Sequence, residues 1–241
     1  MSPFSIFYYL VLSFIYILAI PYLIFKSRNS KYRQAIPAKF FLKDNVPFKE
    51  NGIWFHSCSM GETKAIKPLI DNYLENANIS VITNTGFEEA KKISPNVRYL
   101  PFEIFLPFWV NKQKVLVVME AELWYLLFLL AKKKGAKTLL INARISDKSY
   151  KSYKRFSFFY ERIFQNIDKV FAQSEVDKYR LEELGASNVE VIGNIKLAQL
   201  PKVNVELVKP KQVVITAAST HENEEKLILN AYKKEQGKLI I

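Results

Sequence analysis

Cys58 is the only cysteine in 241 residues, so no disulfide can close within the chain. With just two histidines besides, no Cys/His cluster has metal-site spacing, which argues against structural zinc and for a reduced compartment. Glycine is scarce, at seven residues, and neither an internal repeat nor a low-complexity tract is present. Acidic residues are also in short supply: 23 Asp and Glu face 35 Lys and Arg, for a formal charge of +12. That excess favours an anionic partner: nucleic acid, an anionic membrane surface or a phosphorylated substrate. The length suits one large domain or up to two ordinary ones, with ample core.

Charge is missing altogether from Phe4 to Phe25. An uncharged apolar run of that length can cross a bilayer, which needs about 20 residues. A cleavable signal would carry its basic residues first, whereas here Lys26, Arg28, Lys31 and Arg33 come after the run. The positive-inside rule then assigns that end, and everything beyond it, to the cytoplasm. A single membrane anchor over residues 1–28 is the expectation, and the competing reading is a helix in the interface or packed on the protein, aided by Pro21. Residues 29–51 are basic and contain Pro37 and Pro47, which reads as a membrane-proximal linker or short surface helix. Lipid phosphates are a natural partner for this charge, at about 1 kcal/mol per nearby Lys or Arg.

From residue 52 strand and helix patterns alternate. Ile53 to Ser57, Ser80 to Thr83, Val97 to Leu100, Lys114 to Met119, Thr138 to Ile141, Lys169 to Ala172 and Val189 to Ile192 read as strands. Helical spacing falls at 62–74, 87–93, 123–133, 150–166 and 175–184. Such alternation implies right-handed βαβ units and a parallel sheet covered on both faces, an α/β domain over 52–200. Gly61, Gly86 and Gly193 follow strands, while Gly135 and Gly185 read as helix C-caps. A linker over 201–211, with Pro201 and Pro210, leads into a second α/β unit over 212–241, which reads as the start of a truncated domain.

Polar residues collect just past the strand ends: Ser59 and Glu62, Thr83 to Gly86, Glu120 and Glu122, Asn142 and Arg144, Gln173 and Ser174, Asn194 and Lys196. In a parallel sheet all of them face one crevice, the default binding edge of such a fold. Glu62 stands in a first helical turn, suited to a general base or to a capping box with Ser59, and spacing alone favours the cap. Glu120 and Glu122 form either a carboxylate pair or a loop-ordering pair bound to backbone N–H groups or Arg144. Arg144, Lys148, Lys151 and Arg155 suit phosphates or a solvated helix face. His221, before a helix, suits a donor phosphate or carboxylate, with Ser219 or Thr220 as the cap. His56, inside a strand, reads as a core histidine. Phe102, Phe105, Phe108 and Trp109 read equally as core or as a membrane-dipping group.

Several motifs carry a family resemblance. W-F-H-S-C-S-M-G-E (Trp54 to Glu62) resembles W-x-H-A-x-S-x-G-E, and I-T-N-T-G (Ile82 to Gly86) and E-A-E-L-W (Glu120 to Trp124) follow. N-A-R-I-S-D-K-S (Asn142 to Ser149) with Tyr153, A-Q-S (Ala172 to Ser174), L-G-A (Leu184 to Ala186), G-N-I-K (Gly193 to Lys196) and A-S-T-H-E-N-E-E (Ala218 to Glu225) complete the series. In this order they resemble the 3-deoxy-D-manno-octulosonic acid (Kdo) transferases of lipopolysaccharide synthesis. Departures are Tyr125 in place of a usual proline, Ala198 near a usual aspartate and Asn223 near a usual glycine.

The resemblance implies a GT-B glycosyltransferase, two Rossmann-like domains across a cleft, inverting, without metal or other cofactor. Its donor would be CMP-Kdo and its acceptor the lipid A precursor, at the cytoplasmic face of the inner membrane. Glu62 would be the catalytic base. Ser59, Gly61, Glu120, Glu122, Asn142, Arg144 and Lys196 would bind the acceptor or order the site. Ser219, Thr220, His221 and Glu222 would bind the donor. The alternatives are a non-catalytic, membrane-anchored module for anionic lipid and, weakest, a nucleic-acid binder, for which no motif is present.

Overall fold

A computed structural model describes residues 2–199, 211–233 and 237–241. The chain divides into two compact units, residues 1–200 and 201–241.

The first unit runs α1 (Pro3–Ser27), α2 (Ala35–Phe41), β1 (Ile53–Ser57), α3 (Met60–Asp71), β2 (Ala77–Val81), α4 (Asn84–Lys91), β3 (Val97–Tyr99) and α5 (Leu106–Trp109). It continues with β4 (Val115–Met119), α6 (Tyr125–Lys133), β5 (Lys137–Ala143), α7 (Asp147–Arg155), α8 (Ser157–Phe164), β6 (Lys169–Ala172), α9 (Glu175–Glu183) and β7 (Val189–Val191). All seven strands pair in parallel, in the order β3-β2-β1-β4-β5-β6-β7. The winding reverses between β1 and β4, which makes the carboxyl ends of these two strands the edge where ligands bind in doubly wound sheets.

Period-two alternation sends neighbouring side chains into separate cores. Trp54, Leu116 and Val118 pack with Leu126, Phe128, Ile163 and Leu181 on one face. Phe55, Val117 and Met119 pack with Ile66, Ile70 and Ala90 on the other. Burying both faces explains why the strands read as nearly continuous apolar runs. β2 begins earlier than its pattern suggests because its polar Asn78 and Ser80 are buried with partners: Asn78 Nδ2 donates to Gln113 Oε1 at 2.9 Å, and Trp54 Nε1 donates to Ser80 Oγ at 2.7 Å. The single helix expected over 150–166 is two, separated at Phe156, whose φ of −110° and ψ of 28° leave the helical region.

Residues 29–51 differ from the linker expected. Ala35, Ile36, Ala38, Asn45 and Phe48 are buried, and the Asn45 amide donates to Ala38 O and Tyr99 O, both at 2.9 Å. Phe48 meets Trp54 and Trp109 edge-on at 5.9 and 5.1 Å. The basic residues that suggested a surface tether, Arg33, Lys43 and Lys49, occupy the exposed positions of a folded segment.

The N-terminal helix also differs from a free-standing anchor. Ser2 caps it and Pro3 opens it, as helix starts favour. The helix is long and apolar enough to cross a membrane by length and composition. It nevertheless lies along the domain: Tyr8 Oη donates to Glu103 Oε2 (2.5 Å), Tyr9 Oη to Ile104 O (3.0 Å) and Tyr16 Oη to Phe40 O (2.5 Å), while Ser5 Oγ and Tyr125 Oη bond at 2.7 Å. Its other face leaves Phe7, Leu10, Phe14, Leu18 and Phe25 exposed. One face of the helix thus packs on the domain, but only Ser5 and Leu23 are buried, and the apolar surface an anchor needs stays exposed. The aromatic group at 102–109 divides: Phe102 and Phe105 pack on Tyr16 at 6.0 and 5.2 Å, Trp109 is buried, and Phe108 is 76% exposed. Buried Glu103 also accepts Leu126 N–H at 2.6 Å, supplying α6 with the cap that Trp124 cannot provide.

The second unit is β8 (Val214–Thr216), α10 (Glu224–Tyr232) and β9 (Lys238–Ile240), a parallel βαβ unit. Ser219 and Thr220 do not cap α10. Asn223, at φ 75°, holds the cap position without a side-chain bond, and Thr220 Oγ1 donates instead to Glu225 Oε1 at 3.1 Å. Of the linker expected over 201–211, only Lys211 lies within the described residues.

Candidate functional site

At the corner from β1 to α3, Ser59 Oγ accepts Glu62 N–H (3.3 Å) and donates to Glu62 Oε1 (2.8 Å), while Glu62 Oε2 accepts Cys58 N–H (2.8 Å). Ser59 therefore caps α3, while the Glu62 carboxylate reaches back to Cys58 N–H rather than to the N–H of the cap residue, and Glu62 is 8% exposed. A carboxylate offers about four acceptor positions, so these two bonds orient Glu62 without saturating it. A Cβ at Gly61 would meet only Ser59 Oγ, at 4.0 Å. Glycine within a helix costs about 0.5–1 kcal/mol relative to alanine, and local packing here does not require it. Gly86 is the opposite case: a Cβ there would lie 3.0 Å from Thr83 Oγ1 and 3.2 Å from Cys58 O. Thr83 caps α4 and donates to Cys58 O at 2.8 Å, so α3 and α4 both start at the Cys58–Ser59 loop.

Glu122 approaches the same loop from the end of β4. Trp124 Nε1 donates to its Oε2 at 2.8 Å, and the Cys58 thiol bonds to the same carboxyl group. Burial, followed by the Glu62 and Glu120 charges, raises the Glu122 pKa above the ordinary carboxylate range, against the opposing pull of those bonds. Burial, followed by the Glu122 and Glu62 charges, pushes the Cys58 thiol up to about 12, so it stays protonated and unreactive. His56 lies fully buried beneath them. Its Nδ1 is 2.8 Å from Ser80 Oγ and 3.1 Å from Ser80 O, whereas its Nε2 has no hydrogen-bond partner and faces Glu122 Oε2 at 4.0 Å. Burial pushes the imidazole down to about 4, making it neutral at pH 7.

A second group sits at the ends of β4, β5 and β7. Lys196 Nζ pairs with Glu120 Oε1 at 2.5 Å, Asn142 Nδ2 donates to the same oxygen at 3.4 Å, and Asn142 Oδ1 accepts Ile195 N–H at 3.1 Å. Both Glu120 and Asn142 have φ of 54°, a left-handed conformation that costs a non-glycine residue about 1–2 kcal/mol. Two such residues thus sit at adjacent strand ends on this edge. Arg144 does not order the acidic pair; Lys196 holds Glu120, and Trp124 holds Glu122. Arg144 shares with Glu120 and Tyr153 a hollow of about 180 Å³, and Glu122 lines another of about 220 Å³ with Trp124 and Tyr153.

The expected crevice residues thus form two linked groups. Glu62 and Glu122 meet through Cys58, Glu120 joins Asn142 and Lys196, and the Glu120 and Glu122 charges couple the groups. Gln173 supports this edge through Asn142 O (3.1 Å), whereas Ser174 is occupied as the cap of α9 and Asn194 as the turn acceptor of Lys196 N–H (3.0 Å). Lys148, Lys151 and Arg155 lie on an exposed face of α7. His221 belongs to the second unit, where its N–H donates to Glu224 Oε2 at 2.8 Å. Sequence reasoning missed Cys58, Trp124 and the unpaired His56 nitrogen as parts of the site; the only signal was their place within the recognised motifs. Among the described residues no group of three or more His, Cys, Asp or Glu is arranged to hold a metal ion.

A doubly wound sheet with oriented and buried carboxylates at its switch point defines a Rossmann-like ligand-binding domain. The chain belongs to the Kdo transferase family: residues 28–199 match the family described as 3-Deoxy-D-manno-octulosonic-acid transferase (kdotransferase). A 3-deoxy-D-manno-octulosonic acid transferase from Rickettsia bellii is 33% identical over 207 residues, covering 78% of this chain and 49% of the relative. One from Chlamydia pneumoniae is 31% identical over 210 residues, covering 80% of this chain and 48% of the relative. A bifunctional glycosyltransferase/methyltransferase from Fusobacterium nucleatum is 32% identical over 216 residues, covering 80% of this chain and 34% of the relative. The chain spans about half the length of the Kdo transferases it matches.

Proposed function

We propose that this chain provides the acceptor-binding half of a GT-B glycosyltransferase that moves Kdo from CMP-Kdo to the lipid A precursor, with inversion and without a metal. The observation that carries this reading is the meeting of Glu62, Glu120 and Glu122 at the β1/β4 switch point, in a chain of the Kdo transferase family. Glu62 removes the proton from the attacking sugar hydroxyl. That oxygen bonds to the anomeric carbon of Kdo, the bond from this carbon to the CMP phosphate breaks, and CMP leaves with the electron pair. Cys58 N–H and Ser59 Oγ–H fix the direction of the base. Burial raises the Glu122 pKa and so weakens the charge it sets beside Glu62, while Lys196 offsets Glu120. Asn142 and Arg144 bind the acceptor headgroup, and the bare position at Gly61 gives it room. Ser219, Thr220, His221 and Glu222 contact the donor.

The exposed apolar face of α1 lies in the cytoplasmic leaflet of the inner membrane in this reading, in-plane rather than spanning. The acceptor's acyl chains then stay in the bilayer while its headgroup reaches the crevice. The test is transfer of radiolabelled Kdo from CMP-Kdo to the lipid A precursor by the intact protein. Glu62→Gln should lower kcat by about 100-fold or more, the usual worth of a general base, with little change in KM. Undiminished turnover in that variant would remove Glu62 from the reaction.

A further inference from the structure

A hollow of about 350 Å³ opens between α2, the loop at residues 43–45 and β3, away from the acidic edge of β1 and β4. Three cations line it, Arg33, Lys43 and Arg98, against one carboxylate, Asp44. Among the described residues no carboxylate, Asp44 included, lies within 4.0 Å of any of the three. Arg98 is fixed in place. Its Nε donates to Val46 O (3.1 Å), its Nη1 donates to Val97 O (2.8 Å), and its guanidinium lies 5.9 Å from the Phe48 ring centroid. The floor is equally firm, since buried Asn45 ties Ala38 to Tyr99 and the Tyr99 ring stacks on Phe87 at 4.2 Å. Cations gathered round a rigid hollow, without a protein acid to satisfy them, call for an external anion.

The position indicates where that anion comes from. Ser30 and Arg33, two of the lining residues, follow directly on α1, which ends at Ser27 with Ile24 and Phe25 exposed. An apolar face sunk to the boundary between headgroups and acyl chains brings the next turn of chain to the level of the lipid phosphates. We propose that this hollow is a phosphate site that takes the headgroup phosphate of an anionic membrane lipid, with Arg33 and Lys43 closing on a phosphate oriented by Arg98. The proposal does not rest on the transferase reading, and its test needs no sugar donor.

The test is co-sedimentation of the intact protein with phosphatidylcholine vesicles, with and without phosphatidylglycerol, plus calorimetric titration with inorganic phosphate. The double variant Arg33→Gln/Lys43→Gln leaves Arg98 and its backbone bonds untouched. Lys112→Gln/Lys114→Gln, exposed just before the central strand β4, removes the same charge outside the hollow. The hollow variant should lose about 30-fold in affinity for phosphatidylglycerol vesicles, from the usual worth of two basic residues at such a surface, and nothing on pure phosphatidylcholine. The Lys112/Lys114 variant should bind like wild type. Equal losses in both variants, or none in the hollow variant, would overturn the site. Saturable, Arg33- and Lys43-dependent binding of inorganic phosphate without any vesicle effect would overturn its assignment to lipid.

Discussion

His56 offers a direct measurement of what burial does at the heart of the β1/β4 edge. Its ring is fully buried, and one nitrogen faces a carboxyl group too distant to bond. The folded imidazole titrates at about 4, against 6.5 for the ordinary group. A folded pKa below the unfolded one means that the unfolded chain binds the extra proton first. The contribution of neutral His56 is thus fully present above about pH 6.5 and is lost as pH falls toward 4. Linkage over that interval gives a loss of about 1.2 kcal/mol between pH 7 and pH 5.5, growing to about 3 kcal/mol by pH 4. Glu122 and Glu103, both raised by burial, act in the opposite sense, so wild type should be compared with His56→Gln at each pH. All three tryptophans, Trp54, Trp109 and Trp124, lie in the first unit, and their fluorescence during urea unfolding reports on it. The wild-type stability should fall relative to the variant by about 1.2 kcal/mol between the two higher pH values. A constant difference would refute the reasoning: the imidazole would then take up its proton inside the fold, shared with Glu122.

Two further substitutions examine the surroundings. Gly61→Ala should stabilise the first unit by about 0.5–1 kcal/mol in the same urea assay, because a Cβ there meets nothing closer than 4.0 Å, while transfer activity falls. Unaltered activity would show that the space over this turn is not used. Tyr8→Phe removes a donor from buried Glu103 and should lower the thermal midpoint, at a cost of about 1–3 kcal/mol, with α1 becoming easier to cleave by protease; an unchanged midpoint would mean that the helix is not held through this bond.

Local chemistry was the legible part. The apolar run of β1 followed by Ser59-x-x-Glu62 announced the corner and its cap, and the alternation of patterns announced a parallel sheet. What escaped depended on contacts between distant residues. The approach of His56 to Glu122 joins two strands across the sheet, and the left-handed turns at Glu120 and Asn142 carry no glycine to announce them. The break at Phe156 has neither glycine nor proline. Composition also misled at residues 29–51, where exposed lysines and arginines concealed buried Ala38, Asn45 and Phe48. For α1 the hydropathy was read correctly, but the tyrosine hydroxyls that turn it against the domain register as ordinary aromatic residues in any apolar average.

Those tyrosines have a mechanical consequence. A tether would let the sheet swing freely, whereas a helix riveted at Ser5, Tyr8, Tyr9 and Tyr16 behaves as a keel. On the membrane reading proposed above, lipid that held this keel would set the elevation and tilt of the sheet together.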